Sequence, residues 1–245
     1  IARIGSGVDN IDLDAACKHK INICYTPEAP SLGVPEFTLT LILNLIKGVC
    51  VADRNMHMKK WNKVLGRNLL SSNINIIGAG KIGKKLISLI HLISPKTNIG
   101  FYDPIVNVVP GAKKLTFEDV FKTADIVSLH VPLNENTHRM IGKKQLSFMP
   151  HGSFIINTSR GGVIDEEALY NALNNHLAGA AIDVFETEPY SGKLCELDNC
   201  ILTPHLGSMS LDVRRVMEEQ VSHDVIEFIS GRPLLNPYIQ GGSSE

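Results

Sequence analysis

From about residue 70 onward, short apolar runs alternate with longer stretches whose apolar positions recur at helical spacing. The runs cover residues 74–77, 99–102, 126–130, 154–157, 180–184 and 201–203, and they are rich in isoleucine and valine. Strands with so little polar alternation are buried on both faces. That is the mark of a parallel sheet with helices on each side. The pattern predicts an α/β fold with a doubly wound parallel sheet.

Ahead of this region, residues 35–57 predict one long helix with Pro35 in its first turn. Leu39, Leu41, Ile42, Leu43, Leu45 and Ile46 leave it almost no polar face. Such a helix is either buried in a core or pressed against a partner, and both options stay open. Residues 1–25 read as strand, turn, helix, strand, with Gly5 and Gly7 in the turn, the helix at 12–19 and the second strand at 21–25. Near the other end, residues 211–229 predict a helix with Ser208 or Ser210 as its N-cap and Gly231 as its stop. Pro233 and Pro237 then enforce an irregular exit, and the polar GGSSE tail is expected to fray.

Composition narrows the function classes. With 24 Lys+Arg against 25 Asp+Glu, the formal net charge of −1 argues against nucleic acid as a partner. A length of 245 residues, 44% of them hydrophobic, suits one large or two ordinary domains and excludes wholesale disorder. Apolar stretches such as 39–43 are too short to span a bilayer, so no membrane partner is expected. Cys17, Cys24, Cys50, Cys195 and Cys200 are odd in number and form no CxxC pair. With no secretory signal visible, a reduced, cytoplasmic setting and no metal site are expected. The chain starts at Ile1 inside an apolar-basic run, which suggests that an N-terminal portion precedes it.

Gly78-Ala79-Gly80-Lys81-Ile82-Gly83 follows the 74–77 strand and opens a helix over 84–92. In such a loop the first glycine permits a tight turn and the second lets the backbone approach a pyrophosphate. The third lets helix and strand pack closely. The helix N-terminus offers N–H groups to the anion. Asp103 lies 20 residues past Gly83, at the end of the next strand. A carboxylate there accepts ribose hydroxyls and repels a 2′-phosphate. Pro104 and Ile105 follow it with no arginine, so NAD is expected over NADP.

Arg160, Glu188 and His205 each follow an expected strand. In a parallel sheet all three lie outside the carboxyl ends, where open α/β sheets bind ligands. Hydride transfer from a hydroxyl needs a group that moves the hydroxyl proton, and histidine serves near neutral pH. A carboxylate orients such a ring, and arginine holds a substrate carboxylate in bidentate fashion. Taken singly, the three residues have plainer readings as a strand cap, a solvated loop acid and a loop histidine.

Seven segments carry a resemblance: GSGVDNIDLDAA (5–16), PEFTLTLIL (35–43), INIIGAGKIG (74–83), HVPLNENT (130–137), INTSRGGVIDEEAL (156–169), GAAIDVFETEP (179–189) and LTPHLGS (202–208). With them in this order, the chain resembles the D-isomer-specific 2-hydroxyacid dehydrogenase family, most closely its phosphoglycerate dehydrogenase branch. The resemblance implies a Rossmann NAD domain over 26–206. It also implies a partial, discontinuous flavodoxin-like substrate domain made of 1–25 and 207–245. It implies that Arg160, Glu188 and His205 are catalytic. Cofactor contacts are implied for Gly78, Gly80, Lys81, Ile82, Gly83, Asp103, His130, Val131, Pro132, Thr137, Thr158, Ser159, Asp183 and His205. Within that set, Asp183 would meet the nicotinamide carboxamide, and 130–132 would lie on the adenine side. Ser6, Gly7, Val8 and Arg160 would hold the substrate carboxylate. Arg3 stands where the phosphoglycerate enzymes place a substrate-side arginine, either pairing with a phosphate or lying on the surface. The 35–57 helix would be a homodimer element.

The implied function is NAD-dependent hydride transfer with a small anionic D-2-hydroxy acid or 2-keto acid, D-3-phosphoglycerate first, in serine biosynthesis. Glyoxylate or hydroxypyruvate reduction and a D-lactate-type reaction are alternatives. Tyr25 and Pro30 depart from the asparagines common in this branch, which bears on substrate rather than cofactor. An NAD(H)-sensing protein of the co-repressor type is the reading from another class. A formate-dehydrogenase-like reading fits less well, since Glu188 stands where that branch has an amide.

Overall fold

In the computed structural model, which describes residues 1–239, the six apolar runs and a two-residue edge strand form a seven-stranded sheet. Strands β1–β7 span Asn73–Ile77, Asn98–Tyr102, Lys113–Lys114, Ile126–Leu129, Phe154–Asn157, Gly179–Ile182 and Cys200–Leu202. Helices α1–α8 span Leu13–Lys18, Pro30–Lys47, Val49–His57, Lys81–Ile93, Asp119–Lys122, Lys143–Ser147, Glu166–Asn175 and Leu211–Ile229. The GGSSE tail lies outside the described residues.

The chain divides into two compact units. The larger, Pro35–Gly207, holds the whole sheet in the order β3-β2-β1-β4-β5-β6-β7, with every pair parallel. The order reverses between β1 and β4, the switch point at which doubly wound sheets bind ligands. Strand residues divide alternately between two apolar cores, as the two-residue period of a strand requires. Ile77, Val127, Leu129, Ile155, Ala180 and Ile182 face one core, with Phe121, Leu146, Leu169 and Leu173 from α5, α6 and α7. Ile74, Ile76, Ile126, Ile156 and Ala181 face the other, with Leu39, Ile42 and Ile46 from α2 and Leu86, Ile87 and Ile90 from α4. This two-sided cover explains the lack of polar alternation. Among the buried polar strand residues, Asn75 in β1 is satisfied by donating to Val120 O at 2.8 Å and Thr123 Oγ1 at 3.0 Å.

The smaller unit comprises Ile1–Val34 and the segment from Ser208 onward. Its first part reaches beyond the expected edge at residue 25. Here α1 is capped by Asp12, which accepts from Ala15 N at 2.8 Å. Ala29, Val213 and Met217 form its core with Ile4 and Val216 against them. Of the two N-cap candidates for α8, Ser210 is the one that caps, accepting from Val213 N. Fully buried Asp224 in α8 accepts from Leu235 N, Asn236 N and Asn236 Nδ2, tying the proline-rich exit back to the helix.

Three expectations need correction. The predicted 35–57 helix is two helices, α2 and α3, bent by 64°. Gly48, at φ 64°, is the joint: its N–H donates to Leu45 O and its carbonyl accepts from Ala52 N. Pro30 rather than Pro35 occupies the first helical position, where a missing N–H costs nothing. Second, the strand expected at 21–25 makes only isolated bridges through Cys24, to Ala2 and Pro237. Third, the edge strand β3 carries two lysines and no apolar pattern that would have marked it. No single helix among the described residues is long and apolar enough to cross a membrane; α2 and α3 match that length and composition only together, as a bent pair.

Candidate active site

The glycine loop leaves β1 at the switch point. Gly78 N donates to Tyr102 O at 2.9 Å, and His130 N donates to Ile77 O at 2.7 Å, so three strand ends meet there. The three glycines face different surroundings. Gly78 has φ 95°, and a Cβ there would lie 2.3 Å from His130 O. A Cβ on Gly83 would lie 2.1 Å from Gly78 O. A Cβ on Gly80 would meet nothing within 4 Å. The second glycine therefore borders open space, as a backbone approached by a pyrophosphate must. Helix α4 starts at Lys81, earlier than expected, with Gly80 as N-cap. Neither a capping side chain nor an acid in the first turn occupies that end, which suits an anion.

Asp103 follows β2 and serves both sides of the loop. Its Oδ2 accepts from Ala79 N at 2.7 Å, and its Oδ1 accepts from Ile105 N and Val106 N at 2.8 Å each. Burial opposes its ionisation. The Val106, Ala79 and Ile105 amides and the Lys114 charge outweigh burial and hold the carboxyl below its ordinary range. These residues fit NAD: a glycine turn with room at its middle glycine, an uncapped helix start and an ionised acid beyond the next strand.

His130 turns a ring nitrogen to Ser128 Oγ at 2.9 Å. Burial pushes its imidazole down to about 4, so it is neutral at pH 7. Val131 and Pro132 follow, and Thr137 Oγ1 donates back to Pro132 O at 2.6 Å, closing the turn. Beyond β5, Thr158 Oγ1 meets Thr38 Oγ1 of α2 at 2.9 Å. Asn157, not anticipated as a site residue, organises the loop of Arg160. Its Oδ1 accepts from Ser159 N and Ser159 Oγ, and its Nδ2 donates to Arg160 O at 2.8 Å. The signal for it was an amide closing an otherwise apolar strand. Arg160 Nη1 donates to Ser159 O at 2.7 Å.

Asp183 is 1% exposed directly beyond β6. Its Oδ1 accepts from Thr203 Oγ1 at 2.5 Å and from Leu206 N at 2.7 Å, and its Oδ2 accepts from Gly207 N at 2.9 Å. Burial pushes this carboxyl up, against those three bonds and the nearby His205, and the net shift is upward. Its observed work is to clamp the loop that carries His205. That loop needs a clamp, because His205 has φ 56°, a left-handed conformation costing roughly 1–2 kcal/mol. His205 N donates to Asp183 O at 2.9 Å.

His205 Nδ1 faces Glu188 Oε2 at 3.0 Å. Glu188 Oε1 in turn accepts from Phe185 N at 3.1 Å. Two loops that follow different strands are thus joined by a carboxylate–imidazole contact. The ring nitrogen committed to Glu188 is Nδ1, which leaves Nε2 to exchange a proton. Among the expected substrate-side residues, Arg3, Ser6, Gly7 and Val8 fall in the smaller unit. There Arg3 Nε donates to Gly7 O at 3.0 Å and Gly5 N donates to Thr26 Oγ1 at 2.8 Å, so Arg3 shapes the 5–8 loop.

Residues 39–207 match the family model described as D-isomer specific 2-hydroxyacid dehydrogenase, NAD binding domain. The chain is 34% identical over 245 residues to a D-3-phosphoglycerate dehydrogenase of Bacillus subtilis (strain 168), covering 96% of this chain and 46% of that protein. It is 35% identical over 246 residues to a glyoxylate reductase of Thermococcus litoralis, covering 94% of this chain and 74% of that one. The crystal structure of the TT0316 protein from Thermus thermophilus superposes with a TM-score of 0.90 at 31% identity, over 98% of this chain and 78% of that one. The chain thus spans about half the length of the phosphoglycerate dehydrogenase relative. The sheet order, the glycine loop with its acid, and a match that runs through both make one statement: residues 39–207 are an NAD-binding domain, and the chain belongs to the D-isomer specific 2-hydroxyacid dehydrogenase family.

Proposed function

We propose that the protein is an NAD-dependent oxidoreductase that interconverts a small D-2-hydroxy acid and its 2-keto acid. The observation that carries this reading is the 3.0 Å contact between His205 Nδ1 and Glu188, on the sheet edge that bears the glycine loop. Bound NAD supplies the hydride acceptor for oxidation and, reduced, the donor for the reverse. His205 Nε2 takes the hydroxyl proton in one direction and returns it in the other. Glu188 fixes the ring and its tautomer. Arg160 holds the substrate carboxylate and 2-oxygen. Lys81, Ile82, Thr158 and Ser159 line the cofactor together with Gly78, Gly80, Gly83 and Asp103. His130, Val131, Pro132 and Thr137 serve the adenine side. Asp183 Oδ2 accepts one protein donor and retains capacity for the nicotinamide amide.

D-3-phosphoglycerate is the first substrate to test, which would put the enzyme in serine biosynthesis in the cytoplasm. The phosphoglycerate and glyoxylate relatives motivate the choice. We read the smaller unit as part of a substrate domain. We also read the protein as a homodimer that pairs through α2, α3 and the segment after them.

The test is turnover of a 2-keto acid panel with NADH, in wild type and His205→Ala. The variant should keep NADH binding and lose about 10²–10⁴-fold in kcat. Undiminished turnover would remove His205 from the mechanism. NADH binding with no turnover of any acid by the wild type would favour the sensing role instead.

A further inference from the structure

Residues 185 and 186, just ahead of Thr187 and Glu188, are tied down by contacts from the Arg139 turn, the Arg160 loop and the start of α7. Arg139 Nε and Nη2 donate to the two carboxylate oxygens of Glu186, each at 2.9 Å. Glu186 N donates to Glu166 Oε1 at 2.8 Å, at the start of α7. A Cβ on Gly161, next to Arg160, would lie 1.9 Å from the Phe185 carbonyl carbon, so the two backbones are in direct contact. The Arg139 turn is itself zipped to the Arg160 loop: Arg139 N donates to Gly162 O at 2.7 Å, Ile141 N to Val163 O, and Asp165 N to Ile141 O.

We propose that Arg139 and Glu186 form a positioning pair that holds the Arg160 loop in fixed register with Glu188 and His205. The pair touches no reacting atom. It acts through residue 185, whose N–H donates to the Glu188 oxygen opposite the one that faces His205. A planar two-point fork fixes direction as well as distance, which a single ammonium charge does not. Arg139 also stands among Asp165, Glu166 and Glu186. Without its charge, those acids repel one another around the segment that leads to Glu188. Both side chains are partly exposed, so the pair adds little to stability. Its effect falls on alignment, where a displacement of about 1 Å can cost on the order of a hundredfold in rate.

The inference rests on Arg160, Glu188 and His205 being the catalytic set, and the experiment separates the two ideas. Arg139→Ala, Arg139→Lys, Glu186→Gln and the reversed pair Arg139→Glu/Glu186→Arg are made in the full-length protein beside His205→Ala. Each is assayed with NADH and the 2-keto acid that the wild type turns over fastest. Arg139→Ala and Glu186→Gln should lower kcat by about ten- to a hundredfold, with unchanged KM for NADH and unchanged melting temperature. The reversed pair should recover most of the loss, and Arg139→Lys less of it. If Arg139→Ala does not fold, Glu186→Gln and the reversed pair carry the comparison. Wild-type kcat in Glu186→Gln, or a loss that the reversed pair does not restore, would overturn the proposal. An inert His205→Ala beside an unimpaired Glu186→Gln would sink the positioning pair alone, whereas an active His205→Ala would sink the catalytic reading.

Discussion

Gly80 and Gly83 carry the same residue type for opposite reasons, and a single methyl group separates them. At Gly80 an added Cβ meets nothing, so Gly80→Ala should melt like the wild type. Under the proposed cofactor role of this loop it should bind NADH about tenfold or more weakly, because the methyl would occupy the space left open for a pyrophosphate. At Gly83 the Cβ would lie 2.1 Å from Gly78 O, so Gly83→Ala forces helix and strand apart. That should cost about 1–3 kcal/mol of stability. Calorimetric melting together with NADH titration checks both; equal melting losses would contradict the assignment. The spacing of these glycines and the place of Asp103 were readable from the chain. The second task of Asp103, accepting the Ala79 N–H, was not, because it depends on a turn brought beside it by the sheet. Asp183 is similar: an acid after a strand was legible, but the clamp on Thr203, Leu206 and Gly207 needs the β6–β7 pairing to exist.

The elements were most legible where burial is two-sided. β5 begins and ends where its apolar run does, and α8 spans the predicted residues, since a cap and a glycine bracket it. The break between α2 and α3 was hidden because Gly48 sits inside a continuous helical pattern, and only its positive φ turns it into a joint. That joint directs α3 and the following segment into solvent. Trp61 is 79% and Leu65 100% exposed there, with Met56 and Met58 also open. Apolar exposure on this scale is what a partner surface offers. Replacing Trp61 and Leu65 together by polar residues should turn a dimer into a monomer in sedimentation velocity, with the fold intact by circular dichroism. A wild type that sediments as a monomer at all concentrations would refute the pairing.

For the molecule as a whole, acid destabilisation has an identifiable source in His130. Its folded value is lowered from the ordinary 6.5 to about 4. Above pH 6.5 the ring is neutral in both states, and its burial carries no protonation penalty. Between 6.5 and 4 the unfolded chain takes up the proton while the folded chain does not, so stability falls as pH drops. By pH 4 the loss is on the order of 3 kcal/mol. Urea unfolding of the wild type and His130→Asn from pH 7 to 4 should show two curves converging toward acid. Parallel curves would place the effect elsewhere.

The lysine pair of β3 ends the sheet on one side. An edge strand offers unpaired backbone groups to any passing strand, and a long apolar edge invites chains to stack into aggregates. Here the edge is two residues long, and both carry exposed ammonium groups. Another chain docking there would have to desolvate like charges for only two residues of ladder. The strongly apolar strands β1, β2, β4, β5 and β6 can thus share one sheet without making the protein prone to fibrillar growth from this margin.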